Sequence, residues 1–361
     1  MHTHYYYRWC TMGGVERTLL NRALILRRTD SSFGMTISFL DGAPSLDLFQ
    51  RALQCYGLSG KVRVTEGIPP DAELVVAIDA PNAVPQRRPG LPFIVECHTT
   101  YDENQNYLAS LPDWVQTVVV PSEGLAQQLM RKRLVHTVPL VLPNIMPHPA
   151  AALAAPSSRI WPRRPVAYVG RLDAWKNTEE LLRLWRRLAA LRPDVFFILA
   201  GPQTGDTETL AALRDAGILD TTLRLPAVPF EAVPRVLALV RDHRGLVVSA
   251  SKGESFGWMA AEAIVEGVPI LLSDNAGHRD LVQDDRRFLY TLGNPVEGAE
   301  AAAMALSCWE DRAAALGRLT HRITDEQRLN SAWAALCGHL RSTASAAAAP
   351  SARTGVCKRL D

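Results

Sequence analysis

Apolar residues along the chain follow two patterns in turn, short β-rich runs and helical spacings of three and four residues. In the first half, short β-rich runs predict strands at Met35–Leu40, Glu73–Asp79, Phe93–Cys97, Thr117–Val120 and Val138–Leu142. Between them, apolar residues at spacings of three and four predict helices such as Val15–Arg28 and Glu123–Arg133. Strands that alternate with helices in this way are typical of parallel sheets covered by helices.

The pattern stops after residue 146 and restarts at residue 165. The proline-rich segment between, residues 147–164, predicts an interdomain linker. Strands are then predicted at Val166–Val169, Val195–Ala200, Thr222–Leu225, Leu246–Ser249 and Pro269–Ser273, with helices such as Thr178–Leu191 and Phe230–Arg241 between them. We expect an α/β protein of two doubly wound, Rossmann-like domains, residues 1–146 and 165–325, followed by a closing helix, 326–341, and a disordered tail, 342–361.

Two such domains that face each other form a cleft, because ligands bind outside the carboxyl ends of parallel strands. The residues that follow those strands are therefore the candidates for function.

Composition narrows the class of protein. The chain has 361 residues, of which 47% are hydrophobic and 21% charged, and its net charge of +2 does not favour a nucleic-acid partner. The six cysteines include no Cys-x-x-Cys pair, which disfavours a zinc or redox site. Neither an apolar run long enough to span a membrane nor a signal-peptide pattern occurs, so the sequence predicts a cytoplasmic protein.

The strongest candidate for chemistry is the segment from Ser249 to Ala263. A strand ends near Ser249, and a helix begins near Gly257. The free N–H groups of Phe256, Gly257 and Trp258 at that helix start would suit a diphosphate, and Glu254 and Glu262 could bind sugar and ribose hydroxyls. The alternative is a capping glutamate and a solvated one.

Two further segments add weaker signals. Arg171 and Lys176 follow a strand and could hold a diphosphate, or Arg171 could form an ordinary surface pair with Asp173. Gly13 and Gly14 precede a helix and could present amides to an anion, although a plain turn is the commoner use of such a pair. The absence of Gly-x-Gly-x-x-Gly and of a Walker A motif disfavours dinucleotide oxidoreductases and P-loop proteins.

Three segments in fixed order resemble family 4 glycosyltransferases, the glycosyl transferases group 1. They contain Arg171 and Lys176, then Glu254 and Glu262, then Gly267–Asp274. The resemblance covers Val166 to Val282 well and is looser before it, at Gly13–Glu16, His98 and Val120–Glu123. It implies the GT-B fold, transfer with retention of anomeric configuration, and no metal requirement.

The resemblance also implies a role for individual residues. Arg171 and Lys176 would bind the donor diphosphate, and Glu254 and His98 would be the catalytic residues beside the transferred sugar. The amides of Phe256, Gly257 and Trp258 would contact sugar and phosphate. Glu262 would bind the ribose, and Gly14 would approach the phosphates closely. The chain departs from the family pattern in Trp258, in Asp280, where a glutamate is common, and in Ile145 after Asn144.

The predicted function is transfer of a sugar from a nucleoside-diphosphate sugar, such as a UDP-sugar, to an acceptor hydroxyl, without a cofactor. Open alternatives are an epimerase or a phosphorylase on the same scaffold, or a non-catalytic sugar-nucleotide-binding subunit. The acceptor is either a small polar molecule, such as an aminocyclitol in bacterial antibiotic biosynthesis that would suit Asp102 and Glu103, or a polysaccharide or lipid-linked glycan. The basic run Arg131–Arg133 is a solvated helix end or, alternatively, a weak peripheral contact with anionic lipid.

Overall fold

The computed structural model describes residues 1–147, 161–201 and 206–348, with no account of the side chains of residues 206–207 and 344–348. In this part of the chain, two parallel sheets form, one on each side of the predicted linker. Residues 148–160 of that linker and 349–361 of the predicted tail lie outside the described residues. The prediction of two parallel α/β domains with a C-terminal helix is confirmed.

The sheet of the first domain has the strand order β3-β2-β1-β4-β5-β6-β7. Its strands are β1 (His2–Trp9), β2 (Gly34–Gly42), β3 (Val62–Val64), β4 (Leu74–Ile78), β5 (Phe93–Glu96), β6 (Val118–Val120) and β7 (Leu140–Val141). The helices α1 (Gly14–Thr29), α2 (Leu46–Cys55) and α3 (Glu123–Arg131) pack against it. The Ser122 hydroxyl begins α3 by accepting a hydrogen bond from the amide of Leu125 at 3.3 Å.

The sheet of the second domain has the order β10-β9-β8-β11-β12-β13. Its strands are β8 (Arg164–Val169), β9 (Val195–Ala200), β10 (Thr222–Leu225), β11 (Leu246–Ser249), β12 (Ile270–Ser273) and β13 (Leu289–Tyr290). The helices are α4 (Thr178–Leu191), α5 (Asp206–Asp215), α6 (Val233–Asp242), α7 (Trp258–Val265), α8 (Ala276–Val282), α9 (Pro295–Ser307), α10 (Trp309–Ala314) and α11 (Gly317–Thr324).

The sequence pattern missed β1, although β1 lies in the middle of the first sheet between β2 and β4. Its residues are histidines, tyrosines and threonine rather than aliphatic side chains, so the run showed neither an apolar stretch nor an alternation. His4 and Tyr5 are nevertheless fully buried, because a central parallel strand is covered on both faces. The short strands β3 and β13 were missed as well.

The last helix, α12 (Glu326–Ala348), is longer than predicted and ends beyond Ser342, where the tail was expected to begin. It packs on the first domain, since Leu329, Leu336 and Leu340 belong to the apolar core formed there by α1 and the first sheet. The chain therefore returns from the second domain to the first. Among the described residues, every helix is too short or too polar to cross a membrane.

Candidate active site in the interdomain cleft

The loops after β8 and β11 meet at the carboxyl edge of the second sheet. There, Nζ of Lys176 lies 2.6 Å from Oε1 of Glu254, and the two side chains retain 20% and 15% of their exposure. The carboxylate of Asp173 orders the first loop by accepting from the amides of Trp175 and Lys176 at 3.0 and 2.8 Å. The structure thus joins the predicted diphosphate ligand Lys176 directly to the predicted sugar ligand Glu254.

The charge of Glu254 is set by burial and by its neighbours. Burial raises the pKa of this carboxyl, but the positive Lys176 and then His278 outweigh burial and hold the pKa below the ordinary value. Close packing brings His278 there, because a Cβ on Gly277 would lie only 2.0 Å from the carbonyl oxygen of Glu254. Glu254 is therefore an ionised acceptor at neutral pH. At position 277, only glycine allows the start of α8 to lie this close to the backbone of Glu254.

Trp175 ties the two loops together and also reaches the other domain. Its indole N–H donates to the carbonyl of Gly253 at 2.9 Å, and its own carbonyl accepts from the amide of Lys252 at 2.9 Å. On the other side of the cleft, the ring of Tyr101 stacks on the indole at 4.2 Å between centroids and 26° between planes. Neither aromatic residue was singled out from the sequence.

Arg171 pairs with Asp173 at 3.3 Å, which is the surface pair that the sequence left as its alternative. The guanidinium remains 53% exposed, so this pair contributes little stability. The phenol of Tyr101 lies beside it. Arg171 therefore stays a predicted phosphate ligand that would have to exchange its carboxylate partner for the donor.

The start of α7 carries the predicted amide site. Gly257 caps this helix with a φ of +85°, a left-handed conformation that favours glycine. Among the described residues, the N–H groups of Phe256, Gly257 and Trp258 have no acceptor. They remain available to an anion at the same sheet edge as Lys176.

Trp258 fills the space between the domains. Its indole N–H donates to the hydroxyl of Thr18 at 3.3 Å, and a Cβ on Gly14 would lie 3.1 Å from its ring. The close approach expected of Gly14 is therefore made here to Trp258. This residue, noted above as a departure from the family, makes a direct contact between the domains.

The glycine pair of the first domain does not present all its amides to an anion, which corrects that expectation. The carboxylate of Glu16 accepts from the amides of Thr11, Met12 and Gly13 at 2.6, 2.9 and 3.1 Å. It closes the loop before α1 as half of a capping box. Glu16 thus binds the amide of Gly13 but not that of Gly14.

Glu262 lies in α7 and contacts the first domain. Its Oε1 is 2.6 Å from Nη2 of Arg17, with 10% and 6% of the side chains exposed. Arg17 also donates to the hydroxyl of Tyr56 at 2.8 Å. The residue predicted to bind ribose is thus bonded to a cation that the sequence did not indicate.

His98 follows β5 and is buried. Its Nε2 lies 2.7 Å from Oε1 of Glu96, whose carboxylate also pairs with Arg22 at 2.7 and 2.9 Å. The sequence pattern by itself assigns no role to Glu96. A signal was available, because residues i and i+2 of a strand lie on the same face.

The segment expected to bind the acceptor is partly occupied by its own chain. Asp102 forms an ion pair with Lys132 of the basic run, and Lys132 also donates to Gln105 at 3.1 Å. Glu103 is exposed. In the part of the chain that the structure describes, no group of three or more His, Cys, Asp or Glu side chains is arranged to hold a metal ion.

Comparisons with known proteins concern the family and the fold. Residues 162–317 match the family model of the glycosyl transferases group 1. The D-inositol 3-phosphate glycosyltransferase of Mycolicibacterium gilvum is 32% identical over 187 residues, which are 48% of this chain and 40% of that protein. The chain thus spans less than half the length of this curated relative.

Solved structures match over nearly the whole chain. Anabaena HepE in complex with UDP-glucose has a TM-score of 0.73 at 16% identity, over 94% of this chain and all of that one. The sucrose-phosphate synthase of Thermosynechococcus elongatus has a TM-score of 0.69 at 14% identity, over 96% and 100%. At such identities the likeness shows the fold. Residues 162–317 are therefore a glycosyl transferases group 1 domain, in a chain whose two α/β domains adopt the GT-B fold.

Proposed function

We propose that this protein transfers a sugar, with retention of anomeric configuration, from a nucleoside-diphosphate sugar to a hydroxyl of an acceptor. One observation carries the proposal. The ionised pair of Lys176 and Glu254 lies at the carboxyl edge of the second sheet, where the start of α7 also leaves its amides without protein acceptors.

The chemistry follows from where charge develops. When the bond between the anomeric carbon and the diphosphate oxygen breaks, the sugar gains oxocarbenium character and the diphosphate gains negative charge. Lys176 and the amides at Gly257 would stabilise the leaving diphosphate from the sheet edge where they already lie, and Arg171 would join them by leaving Asp173. Lys176 would thus contact the diphosphate, and the carboxylate of Glu254, next to Lys176, would contact the sugar.

The donor is proposed to be a UDP-sugar, and the acceptor a small cyclitol. HepE was solved with UDP-glucose, and the Mycolicibacterium relative is named as a D-inositol 3-phosphate glycosyltransferase. In this chain an amino group on the acceptor could replace Lys132 at the carboxylate of Asp102, which supports an aminocyclitol. A polysaccharide or lipid-linked glycan is the second candidate.

A screen of donors against acceptors tests the proposal. The purified chain is incubated with UDP-, GDP-, ADP- and dTDP-sugars, each with inositol phosphate, aminocyclitols or oligosaccharides, and products are detected by mass spectrometry. We expect a glycosylated cyclitol whose anomeric configuration, measured by NMR, equals that of the donor. Inversion would refute the retaining assignment.

The same screen separates the alternatives. Donor isomerisation without acceptor would indicate an epimerase, and sugar phosphate formed with inorganic phosphate would indicate a phosphorylase. Donor binding with no turnover under any condition would favour a non-catalytic subunit. The Lys176→Ala variant is the control, because any activity that comes from the proposed site must decrease in this variant.

A further inference from the structure

A buried chain of three charged or polar side chains lies behind the cleft, on α1 and at the end of β5. The guanidinium of Arg22 holds the carboxylate of Glu96 through two contacts, Nη2 to Oε1 at 2.7 Å and Nη1 to Oε2 at 2.9 Å. Oε1 also lies 2.7 Å from Nε2 of His98. Arg22 and Glu96 retain only 2% and 1% of their exposure, so this ion pair lies in the interior.

The charge of Glu96 decides the direction of its contact with His98. Burial raises the pKa of this carboxyl, but the adjacent Arg22 and then His98 outweigh burial and hold the pKa far below the ordinary value. An ionised carboxylate accepts hydrogen bonds and donates none. Nε2 of His98 must therefore carry the proton in this contact, and in the neutral ring Nδ1 is left as the acceptor.

The backbone of His98 is held as well. Its amide donates to Oδ1 of Asp79 at 3.0 Å, at the end of the neighbouring strand β4. Asp79 has a φ of +45° and thus a left-handed backbone that is uncommon for a residue with a side chain. Ring and backbone are therefore fixed independently, one by Glu96 and the other by Asp79.

Nδ1 of His98 is the ring atom without a protein partner in the described part of the chain. The chain reaches the cleft two residues further on, because the hydroxyl of Thr100 is 3.1 Å from where a Cβ on Gly253 would be. Gly253 immediately precedes Glu254. A sugar bound against Glu254 would thus lie near the segment from His98 to Thr100.

We infer that Glu96 and Arg22 are positioning residues, which hold His98 with its proton on Nε2 so that Nδ1 accepts a hydrogen bond from a hydroxyl of the transferred sugar. The contact with sugar rests on the proposed function. The position of the proton does not, because it follows from the contacts of Arg22, Glu96 and His98 alone.

The first test is spectroscopic and independent of activity. Chain labelled with ¹⁵N-histidine is studied by NMR at pH 7.5, and the signals of His98 are assigned by their loss in His98→Asn. We expect the neutral Nε2–H tautomer. An Nδ1–H tautomer, or a doubly protonated ring, would overturn the inference whether or not the protein transfers sugar.

The second test compares two amides that each replace one ring nitrogen. In His98→Gln the amide extends to the position of Nε2 and can keep the contact with Glu96, but no acceptor stands at Nδ1. In His98→Asn the carbonyl can stand near Nδ1, but the contact with Glu96 is lost. We expect kcat of the asparagine variant to exceed that of the glutamine variant by about tenfold.

The reverse order would mean that His98 serves only to pair with Glu96, and would overturn the sugar contact. Thermal unfolding of both variants shows whether folding differs. A third variant, Glu96→Gln, removes the charge, and we expect it to lower kcat by about tenfold and to abolish the fixed tautomer of His98. An unchanged tautomer in folded Glu96→Gln would refute the positioning role. If the wild type transfers no sugar, the proposed function fails, and the NMR result still decides the proton position.

Discussion

Oε1 of Glu262 lies 2.6 Å from Nη2 of Arg17, and this ion pair joins the second domain to the first. With 10% and 6% of the side chains exposed, the pair is shielded from water. The resemblance assigns the ribose of the donor to Glu262. A ribose hydroxyl that binds Oε1 of Glu262 would compete with Arg17 for that oxygen.

Replacing Arg17 with methionine should therefore raise the affinity for UDP while lowering the stability of the free protein. The donor would no longer compete with a cation, and we expect Kd for UDP to fall by roughly tenfold. The unfolding temperature should drop, because Glu262 loses its buried partner. Isothermal titration calorimetry and thermal unfolding measure the two effects.

Arg51→Met is the matched control, since Arg51 also faces the second domain, at 3.4 Å from Glu231, but is 67% exposed. We expect neither property to change in it. Weaker binding of UDP by Arg17→Met would contradict the competition and would indicate that Arg17 itself binds the nucleotide.

Substitution of Glu254 and substitution of Glu262 should change different kinetic constants. Glu254→Gln removes a charge beside the transferred sugar and should lower kcat strongly, whereas Glu262→Gln should raise the donor KM with kcat less affected. The structure gives the two residues separate partners, Lys176 and Arg17. Steady-state kinetics at saturating acceptor measure the difference, and identical profiles would refute the division of roles.

The two cations should stabilise the leaving diphosphate. Lys176→Ala or Arg171→Ala should cost roughly 2 to 4 kcal/mol of transition-state stabilisation, seen mainly in kcat. Lys176 and Glu254 should show strong coupling in a double-mutant cycle, because each variant leaves the other charge without its partner. Arg183→Ala, which breaks an exposed pair with Glu179 at 3.4 Å, is the control. Wild-type kcat in both Lys176→Ala and Arg171→Ala would exclude the diphosphate role.

Chelation should leave the reaction largely intact. If cations and amides of the protein balance the charge of the diphosphate, EDTA should reduce the rate modestly at most. Activity is measured before and after exhaustive dialysis against EDTA. Complete loss of activity that Mg²⁺ or Mn²⁺ restores would show that a metal ion is needed for catalysis.

His4 should make the fold sensitive to mild acid. Burial, with smaller effects from His2 and Arg88, lowers the pKa of His4 from 6.5 to about 4. The unfolded chain then binds more protons than the folded one between these values, so stability is fully present above pH 6.5 and falls as the pH drops toward 4. The loss from this group should reach about 3 kcal/mol.

Urea unfolding at several pH values between 7 and 4.5 measures this loss. In His4→Phe the decrease between pH 6.5 and 5 should be smaller than in the wild type. Substitution of the exposed His136 by glutamine should leave it unchanged. An equal pH dependence in the wild type and in His4→Phe would show that other groups control acid unfolding.

Local pattern was sufficient for much of the architecture. Aliphatic strands such as β9 and β11 and amphipathic helices such as α4 were predictable, because period and side-chain type there follow from burial on one or both faces. The strand β1 was not, because its tyrosines and histidines become buried only when β2 and β4 enclose it. The extent of α12 was missed for a related reason, since leucines spaced along it pack on a domain distant in sequence.

For the candidate site, the sequence by itself determined which residues follow the strands of the second domain, and so placed Lys176 and Glu254 at one edge. That inference is local, because the carboxyl ends of neighbouring parallel strands lie at the same edge of their sheet. Only the tertiary structure decided the partners across the cleft: Arg17 for Glu262 and Trp258 for Gly14. Pairing between domains depends on how their surfaces pack, and neither period nor spacing along the chain contains that information.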